Sequence, residues 1–372
     1  MKICIQQFLG KSHSWSIVGQ NYARSFRNLG NEVHLQSTNG LEYFPDDLKS
    51  LLKEKLDDDY DLELSYTSMK NFPVYLNHSK KSIKFGIWCF EWAGKNAIPT
   101  GFAKHYKSCN KILPPSQFAK QVFLDSGVPE SSLQVVPHGF DKTAYDNCEP
   151  LNINTKKSIK ILLNIAQNHM RKNFAGALDA FGKAFSKKDD VCLVLKIVDK
   201  EPQQNFEVSF KKMFNVFKTK YPNHAEVKII TDFIPNIGSL YKSCDILYSL
   251  THCEAFYMPG LEALSLGLVN VVSGYGGQLD FLNNDNSLLV SGKVSFSPPQ
   301  ALYWDQKAGT YWFEPSIDDA VEKLRYAANN ILKLKNQIKL NNQVIEKYSW
   351  DNVANSVLDL YKQEKQLLGD KS

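Results

Sequence analysis

Three observations predict an α/β protein built from two doubly wound domains. Short apolar runs alternate with amphipathic stretches at helical spacing along most of the chain. That alternation breaks once, at the polar and aperiodic stretch CEPLNINTKKS near 148–158, and then restarts. A length of 372 residues is also more than one hydrophobic core of ordinary size organises. Two successive β/α series joined by a linker predict two parallel sheets covered by helices, one over 1–148 and one over 149–349. Ligands of such sheets bind beyond the carboxyl ends of strands, so the expected site is a cleft between two facing domains.

The elements follow in order. MKICIQQF reads as a strand ending at Gly10, Trp15 to Asn28 as a helix closed by Leu29-Gly30, and NEVHLQ as the next strand, a βαβ opening. IKFGIWCF, KILPP, a helix from Ser116 to Ser126 stopped by Gly127, and LQVVPHGFD continue the series. Beyond the linker come IKILLNIA, the helix NFAGALDAFGKAF, VCLVLKIV, and the helical FEVSFKKMFNVFKTKY with Phe206, Phe210, Phe214 and Phe217 on one stripe. Lysines beside that stripe would suit a membrane surface, but a helix packed on a sheet accounts for it more simply. EVKIIT, a helix from Ile237 to Ser243, DILYSL, a helix from Pro259, LVNVVSG and a helix from Gln278 to Leu282 complete the second series. The absence of a short fixed repeat argues against a solenoid.

Composition narrows the function. Hydrophobic residues at 43% and charged residues at 22% suit a globular protein, and no apolar run approaches the roughly 18 residues of a membrane span. The apolar stretch of MKICIQQFLGKSHSW is too short for a signal peptide, which predicts a cytoplasmic protein. Seven cysteines, an odd number with no CxxC pair, read as reduced thiols. A net charge of +5 without a dense Lys/Arg block predicts a solvated surface and no nucleic-acid partner.

Three strand exits carry the chemistry. In DILYSLTHCEAFYMPGLEALSLG, Glu254 falls in the loop after a strand. Pro259 suits the first position of a helix, and Glu262 is expected in that helix's first turn, where the dipole favours negative charge. Backbone N–H groups from Tyr257 to Gly260 are expected to face a ligand. In NIAQNHMRKNFAG, Arg171 and Lys172 leave another strand just before a helix and could neutralise a diphosphate. In SGYGGQLDFL, Gly274, Gly276 and Gly277 mark a sharp turn or a close backbone approach.

The run CEAFYMPGLEALSLGLVNVVSGYGGQLDFL resembles the E-x7-E signature of retaining glycosyltransferases of family four. ILPPSQFAKQVFLDSG, VVPHGFD, RKNFAGALDAF and YSWDNVANSVLDLY stand in that family's order. The resemblance implies a GT-B architecture of two Rossmann-like domains, with the last helix, 350–372, returning to the first. It implies metal-independent transfer of a sugar, with retention of configuration, from a UDP-, GDP- or ADP-linked donor to a glycan, lipid-linked or protein acceptor, with no cofactor. Peripheral membrane contact is compatible with lipid-linked acceptors and mild positive charge.

By the same resemblance Glu262 would bind the donor ribose, and Glu254 would lie beside the transferred sugar. Phe256, Tyr257, Met258 and Pro259 would supply the donor-binding turn, and Lys172 with Arg171 would hold the diphosphate. The chain departs from the family in three places. Ile165, Ala166 and Gln167 stand where a basic side chain is common, and Gly10 is followed by Lys11 and Ser12 in place of a second glycine. Glu91, in IWCFEWAGKNAIP, stands near the place of a histidine that many members use. Gly10 is expected at the donor or acceptor, Glu91 at the sugar or acceptor, and His138 in a turn. Asp57, Asp58 and Asp59 are expected to form a solvated loop and not a metal site. A sugar-nucleotide epimerase, a phosphorylase, or a non-catalytic subunit that binds nucleotide sugar are the alternatives the sequence leaves open.

Overall fold

The computed structural model describes residues 1–10, 13–165, 167–198, 200–302, 309–340 and 343–369. Lys11, Ser12 and Ala166, named above, lie outside the described residues. The chain divides into two compact units, one of Met1–Asp141 with Glu346–Ser372 and one of Lys142–Ile345.

The first unit is a five-stranded parallel sheet in the order β2-β1-β3-β4-β5. Its strands are β1 (Lys2–Gln7), β2 (Glu32–Ser37), β3 (Leu62–Tyr66), β4 (Ile83–Ile87) and β5 (Lys111–Ile112). Its helices are α1 (Ser14–Asn28), the short α2 (Phe72–Tyr75) and α3 (Thr100–Ala103), and α4 (Gln117–Asp125). Ile3, Ile5, Leu35, Leu62 and Phe85 are fully buried, as expected of parallel strands covered on both faces. At the start of α4 the Ser116 hydroxyl accepts from Ala119 N–H at 3.0 Å, the cap that the sequence signals there.

Three features of this unit differ from the sequence reading. LELSY forms the central strand β3, although only five residues follow the acidic run LDDDYD. LQVVPHGFD forms no strand: Pro137 has no N–H to give a ladder, so the segment only runs beside β5, with Gln134 N–H on Ile112 O at 3.0 Å and Val136 N–H on Pro114 O at 3.1 Å. The acidic loop is ion-paired as well as exposed, because Lys2 Nζ bonds both Asp57, at 2.8 Å, and Asp59.

The second unit holds a six-stranded parallel sheet in the order β11-β10-β9-β6-β7-β8. The strands are β6 (Ile159–Ile165), β7 (Val191–Ile197), β8 (Glu226–Ile230), β9 (Ile246–Ser249), β10 (Val269–Ser273) and β11 (Ser287–Val290). An antiparallel hairpin, β12 (Gly292–Phe296) with β13 (Tyr311–Pro315), is appended to it. Helices α5 (Lys142–Asp146), α6 (Phe174–Ala184), α7 (Phe210–Lys220), α8 (Gly238–Lys242) and α9 (Met258–Ser265) precede α10 (Ile317–Asn329), α11 (Ile331–Leu340) and α12 (Gln343–Glu346).

Helix α7 begins only after Ser209, whose hydroxyl caps Lys212 N–H, so Phe206 lies outside the helix and stacks on His169 instead. Phe210 and Phe217 are buried, and the Phe210 ring meets Phe174 of α6 edge-on at 4.8 Å. Gly277–Asp280 makes a 3₁₀ turn where a helix from Gln278 to Leu282 was expected.

The last helix, α13 (Trp350–Gly369), belongs to the first unit and packs on α1, where Trp350 meets Tyr22 edge-on at 5.3 Å. Gly139 admits that indole, since a Cβ there would lie 2.7 Å from Trp350 Cδ2. None of the seven cysteines forms a disulfide. Among the described residues no helix is long and apolar enough to cross a membrane.

Candidate active site

Strand β9 ends at Ser249, and its exit loop carries Thr251, His252, Cys253 and Glu254 before α9 begins. Strand β6 ends at Ile165, and its exit contains the 3₁₀ turn Met170–Lys172, capped by the buried His169 ring, which accepts from Arg171 N–H at 3.0 Å. These neighbouring strands bring the two exits together. His252 N–H donates to Arg171 O at 2.7 Å, and Asn173 Nδ2 donates to Leu250 O at 2.9 Å.

Glu254 is the centre of the cluster and only 6% exposed. Lys172 Nζ lies 2.6 Å from its Oε1, Arg171 NH1 lies 2.9 Å from its Oε2, and the Thr251 hydroxyl donates to Oε1 at 3.0 Å. Burial alone would push this carboxyl up; the two cations outweigh it and hold the group below its ordinary value. Glu254 is therefore a buried, ion-paired carboxylate and not a solvated one. Arg171 is itself 5% exposed and also donates to Cys253 O at 3.1 Å, which marks it as the anchor of the loop. The Lys172 side chain keeps 19% exposure, so its ammonium is the cation more open to an arriving anion.

The glycine loop after β10 supports the same carboxylate. Gly277 N–H donates to Glu254 O at 2.8 Å, and Ser273 Oγ donates to Thr251 O at 2.7 Å. Gly276 has φ of +100°, and a Cβ there would stand 2.8 Å from Glu254 O, so this position requires glycine for both its conformation and its space.

Glu262 departs from expectation in its place. Helix α9 starts at Met258, one residue before Pro259, so Glu262 lies in the second turn, beyond the strongest reach of the dipole. It is 8% exposed, and burial pushes its carboxyl above the ordinary range, against hydrogen bonds from Tyr145 and Tyr241 that favour the charged form. Tyr257 precedes α9 with a left-handed backbone (φ 73°) and no side-chain cap. Burial pushes its phenol up, and the charges of Glu254 and Glu262 add to that shift. The N–H groups expected from Tyr257 to Gly260 are fewer than four: Pro259 has none, and Gly260 N–H turns back to Tyr257 O at 3.0 Å. Phe256 is buried against Phe281, while Met258 and Pro259 are half-buried at the helix start.

Gly10 and Glu91 belong to the first unit. Gly10 is buried where a Cβ would lie 1.8 Å from Gly40 O, so close backbone approach explains the residue without a ligand. Glu91 follows β4, half-buried between the buried rings of Phe90 and Trp92. His138 is buried, with Nε2 3.4 Å from Cys89 Sγ, and burial lowers its pKa to about 3. It is a core histidine, neutral at physiological pH.

Nothing in the sequence signals Thr251, which bonds Glu254 from within the same loop, or Tyr145 of α5 and Tyr241 of α8, which favour the charged form of Glu262. Nor does it signal the hairpin's role. Phe313 N–H donates to His252 O at 2.9 Å, His252 Nδ1 lies 2.7 Å from Phe313 O, and the His252 ring stacks on Trp312 at 3.8 Å. Among the described residues no group of three or more His, Cys, Asp or Glu is placed to hold a metal ion.

Residues 149–301 match the family Glycosyl transferases group 1. A protein of Sulfolobus islandicus filamentous virus assigned as a glycosyltransferase is 26% identical over 342 residues, covering 89% of this chain and 86% of its own. The lipopolysaccharide 1,2-N-acetylglucosaminetransferase of Salmonella typhimurium is 24% identical over 264 residues, 66% of this chain and 60% of its own. Among solved structures, Anabaena HepE in complex with UDP and glucose superposes with a TM-score of 0.73 at 12% identity, over 98% of this chain and 100% of that one. A glycosyltransferase from Rickettsia africae gives 0.69 at 17% identity, over 98% of both chains.

Proposed function

We propose a donor site and a mechanism on one premise: the chain belongs to the glycosyl transferase group 1 family, with a GT-B fold, and is a glycosyltransferase that uses a nucleotide-sugar donor. In this reading the transfer retains anomeric configuration and needs no metal. The acceptor is a hydroxyl of a glycan, a lipid-linked glycan or a protein.

The observation that carries the reading is the cluster of Lys172, Arg171 and Glu254, drawn from two strand exits to one point just ahead of α9. Breaking the anomeric C–O bond leaves a nucleoside diphosphate, so stabilising its developing charge is the largest catalytic need. Lys172 meets that charge as its ammonium exchanges Glu254 for phosphate oxygens. Arg171, held by Glu254 and Cys253 O, keeps the loop positive and fixed. Backbone groups of Phe256, Tyr257 and Met258, with Pro259 setting the turn, receive the sugar and phosphate. Glu254 keeps the cations aimed and lies beside the transferred sugar, and Glu262 accepts the ribose hydroxyls.

The acceptor oxygen attacks the anomeric carbon on the face the diphosphate leaves, and its proton passes to a departing phosphate oxygen. Glu91, which follows β4, serves the acceptor side. Peripheral membrane contact accompanies this reading only where the acceptor is lipid-linked.

The experiment is donor consumption by wild type, Lys172→Ala and Glu262→Ala, with and without EDTA. The reading expects transfer that EDTA leaves intact and both variants abolish while remaining folded. Full activity in both variants would remove the site assignment, and loss with EDTA would remove metal independence.

A further inference from the structure

Resting on the reading of the chain as a transferase with a glycan acceptor, we infer that the outward face of the β12–β13 hairpin is a stacking platform. It takes sugar rings of the acceptor beyond the one that receives the transfer. The hairpin register sets Val294 opposite Phe313 and Phe296 opposite Tyr311, so these four side chains share one face. Val294 is 53% exposed, Phe296 is 65% exposed, and Tyr311 is half-buried. The Phe296 and Tyr311 rings stack at 4.7 Å with 27° between their planes.

The face is anchored to the loops around Glu254. Phe313, 6% exposed, stacks on Tyr275 at 5.3 Å with the planes 5° apart, and Tyr275 stands between Gly274 and Gly276 in the loop after β10. Backbone bonds tie the hairpin at both ends. Gly274 N–H donates to Val290 O at 2.8 Å, Ser316 N–H to Ser291 O at 2.7 Å, and Ser297 N–H to Thr310 O at 2.8 Å. On the opposite face Trp312 stacks on His252, two residues before Glu254. Rings therefore run outward from the Glu254 loops in the order Tyr275, Phe313, Tyr311, Phe296, on a hydrogen-bonded support.

Charge and size choose the occupant. The two strands carry a single cation, Lys293, and a single anion, Glu314, which are register partners. The hairpin so lacks the basic excess that draws a protein to anionic lipid. A stable contact with a second copy of the chain needs about 20–30 residues a side, far more than Val294, Phe296 and Tyr311 supply. An exposed ring beside a phenol hydroxyl suits a sugar, whose C–H face lies on the ring while its hydroxyl edge meets the polar tip. Alternate residues of a strand stand about 7 Å apart on one face, so the platform serves successive units of a chain and not a lone monosaccharide.

The test is binding of the full chain, with no donor present, to an array of neutral oligosaccharides of increasing length. The best binder is then titrated into wild type, Phe296→Ala, Phe296→Leu and Phe296→Trp. Wild type is expected to bind the oligosaccharide at least about 10-fold tighter than its monosaccharide. Phe296→Ala and Phe296→Leu should each weaken that binding about 10-fold, and Phe296→Trp should keep it, all with the melting temperature of wild type. Affinity kept by Phe296→Leu would reduce the contact to apolar surface without stacking and overturn the inference, as would the absence of any bound glycan. If Phe296→Ala instead loses pelleting with phosphatidylglycerol vesicles, or a sedimenting dimer, at unchanged glycan affinity, the face belongs to a lipid surface or a second copy and the inference falls. UDP, GDP and ADP titrated into the same proteins should bind the Phe296 variants as they bind wild type. Binding of none of them would remove the donor reading by itself, while the glycan titration alone decides the platform.

Discussion

Lys172 Nζ sits 2.6 Å from Glu254 Oε1, although 82 residues separate the two in sequence. Arg171 takes the other oxygen at 2.9 Å, so one buried carboxylate holds two adjacent cations. The pair differ in burial, and that difference divides their roles between fold and chemistry.

Lys172→Ala is expected to lower transfer by about 100-fold or more and to shift the melting temperature little, because its ammonium is part-exposed. Glu254→Ala strands the buried Arg171 guanidinium, which costs about 3–5 kcal/mol and several degrees of melting temperature. Initial rates and scanning calorimetry of both variants check this. A larger thermal loss for Lys172→Ala than for Glu254→Ala would contradict it.

The two glutamates should act on stability in opposite directions with pH. Glu254 has a depressed carboxyl, so its contribution is present above the unfolded value of about 4.3 and is lost as pH falls through the folded one. Glu262 has a raised carboxyl, so its contribution is present below about 4.3 and is lost as pH rises through the folded value. Glu262→Gln should therefore melt higher than wild type at pH 7 and converge with it in acid, whereas Glu254→Gln should melt lower at pH 7 and converge in acid. Melting curves from about pH 2 to 8 measure both.

Gly276→Ala is expected to cost roughly 1–3 kcal/mol and to reduce turnover, since φ of +100° and the 2.8 Å approach to Glu254 O leave no place for a methyl group. The loop would have to shift, carrying Glu254 with it. A variant with wild-type melting temperature and turnover would show that the loop does not set the carboxylate.

The sheets were legible because parallel strands buried on both faces read as apolar runs, and IKILLNIA and VCLVLKIV became β6 and β7. LELSY was not, since a five-residue strand with Glu63 and Ser65 inside it carries little pattern. Arg171, Lys172, Glu254 and Glu262 were legible as charges at strand exits. Their pairing was not, because no local spacing relates residues on separate strands. Glu262 was misplaced by one residue, from the first turn into the second, because proline also suits the second helical position, and nothing in sequence marks Tyr145 and Tyr241 as groups that act on it.

Trp312→Ala should lower stability by about 3–5 kcal/mol and slow transfer as well. The indole is 5% exposed and stacks on His252, two residues before Glu254, where Phe313 N–H also holds His252 O. Turnover measured well below the variant's melting point separates the two effects. Unchanged turnover there would limit the hairpin to a structural role.

The most direct test of the central claim, that Lys172 and Glu262 serve one nucleoside-diphosphate site, is the dissociation constant of UDP, GDP and ADP measured for wild type, Lys172→Ala and Glu262→Ala. One nucleotide should bind wild type, and each substitution should weaken that binding at least about 10-fold with the fold retained. Equal affinity in all three proteins, or no binding of any of the nucleotides to wild type, would contradict it.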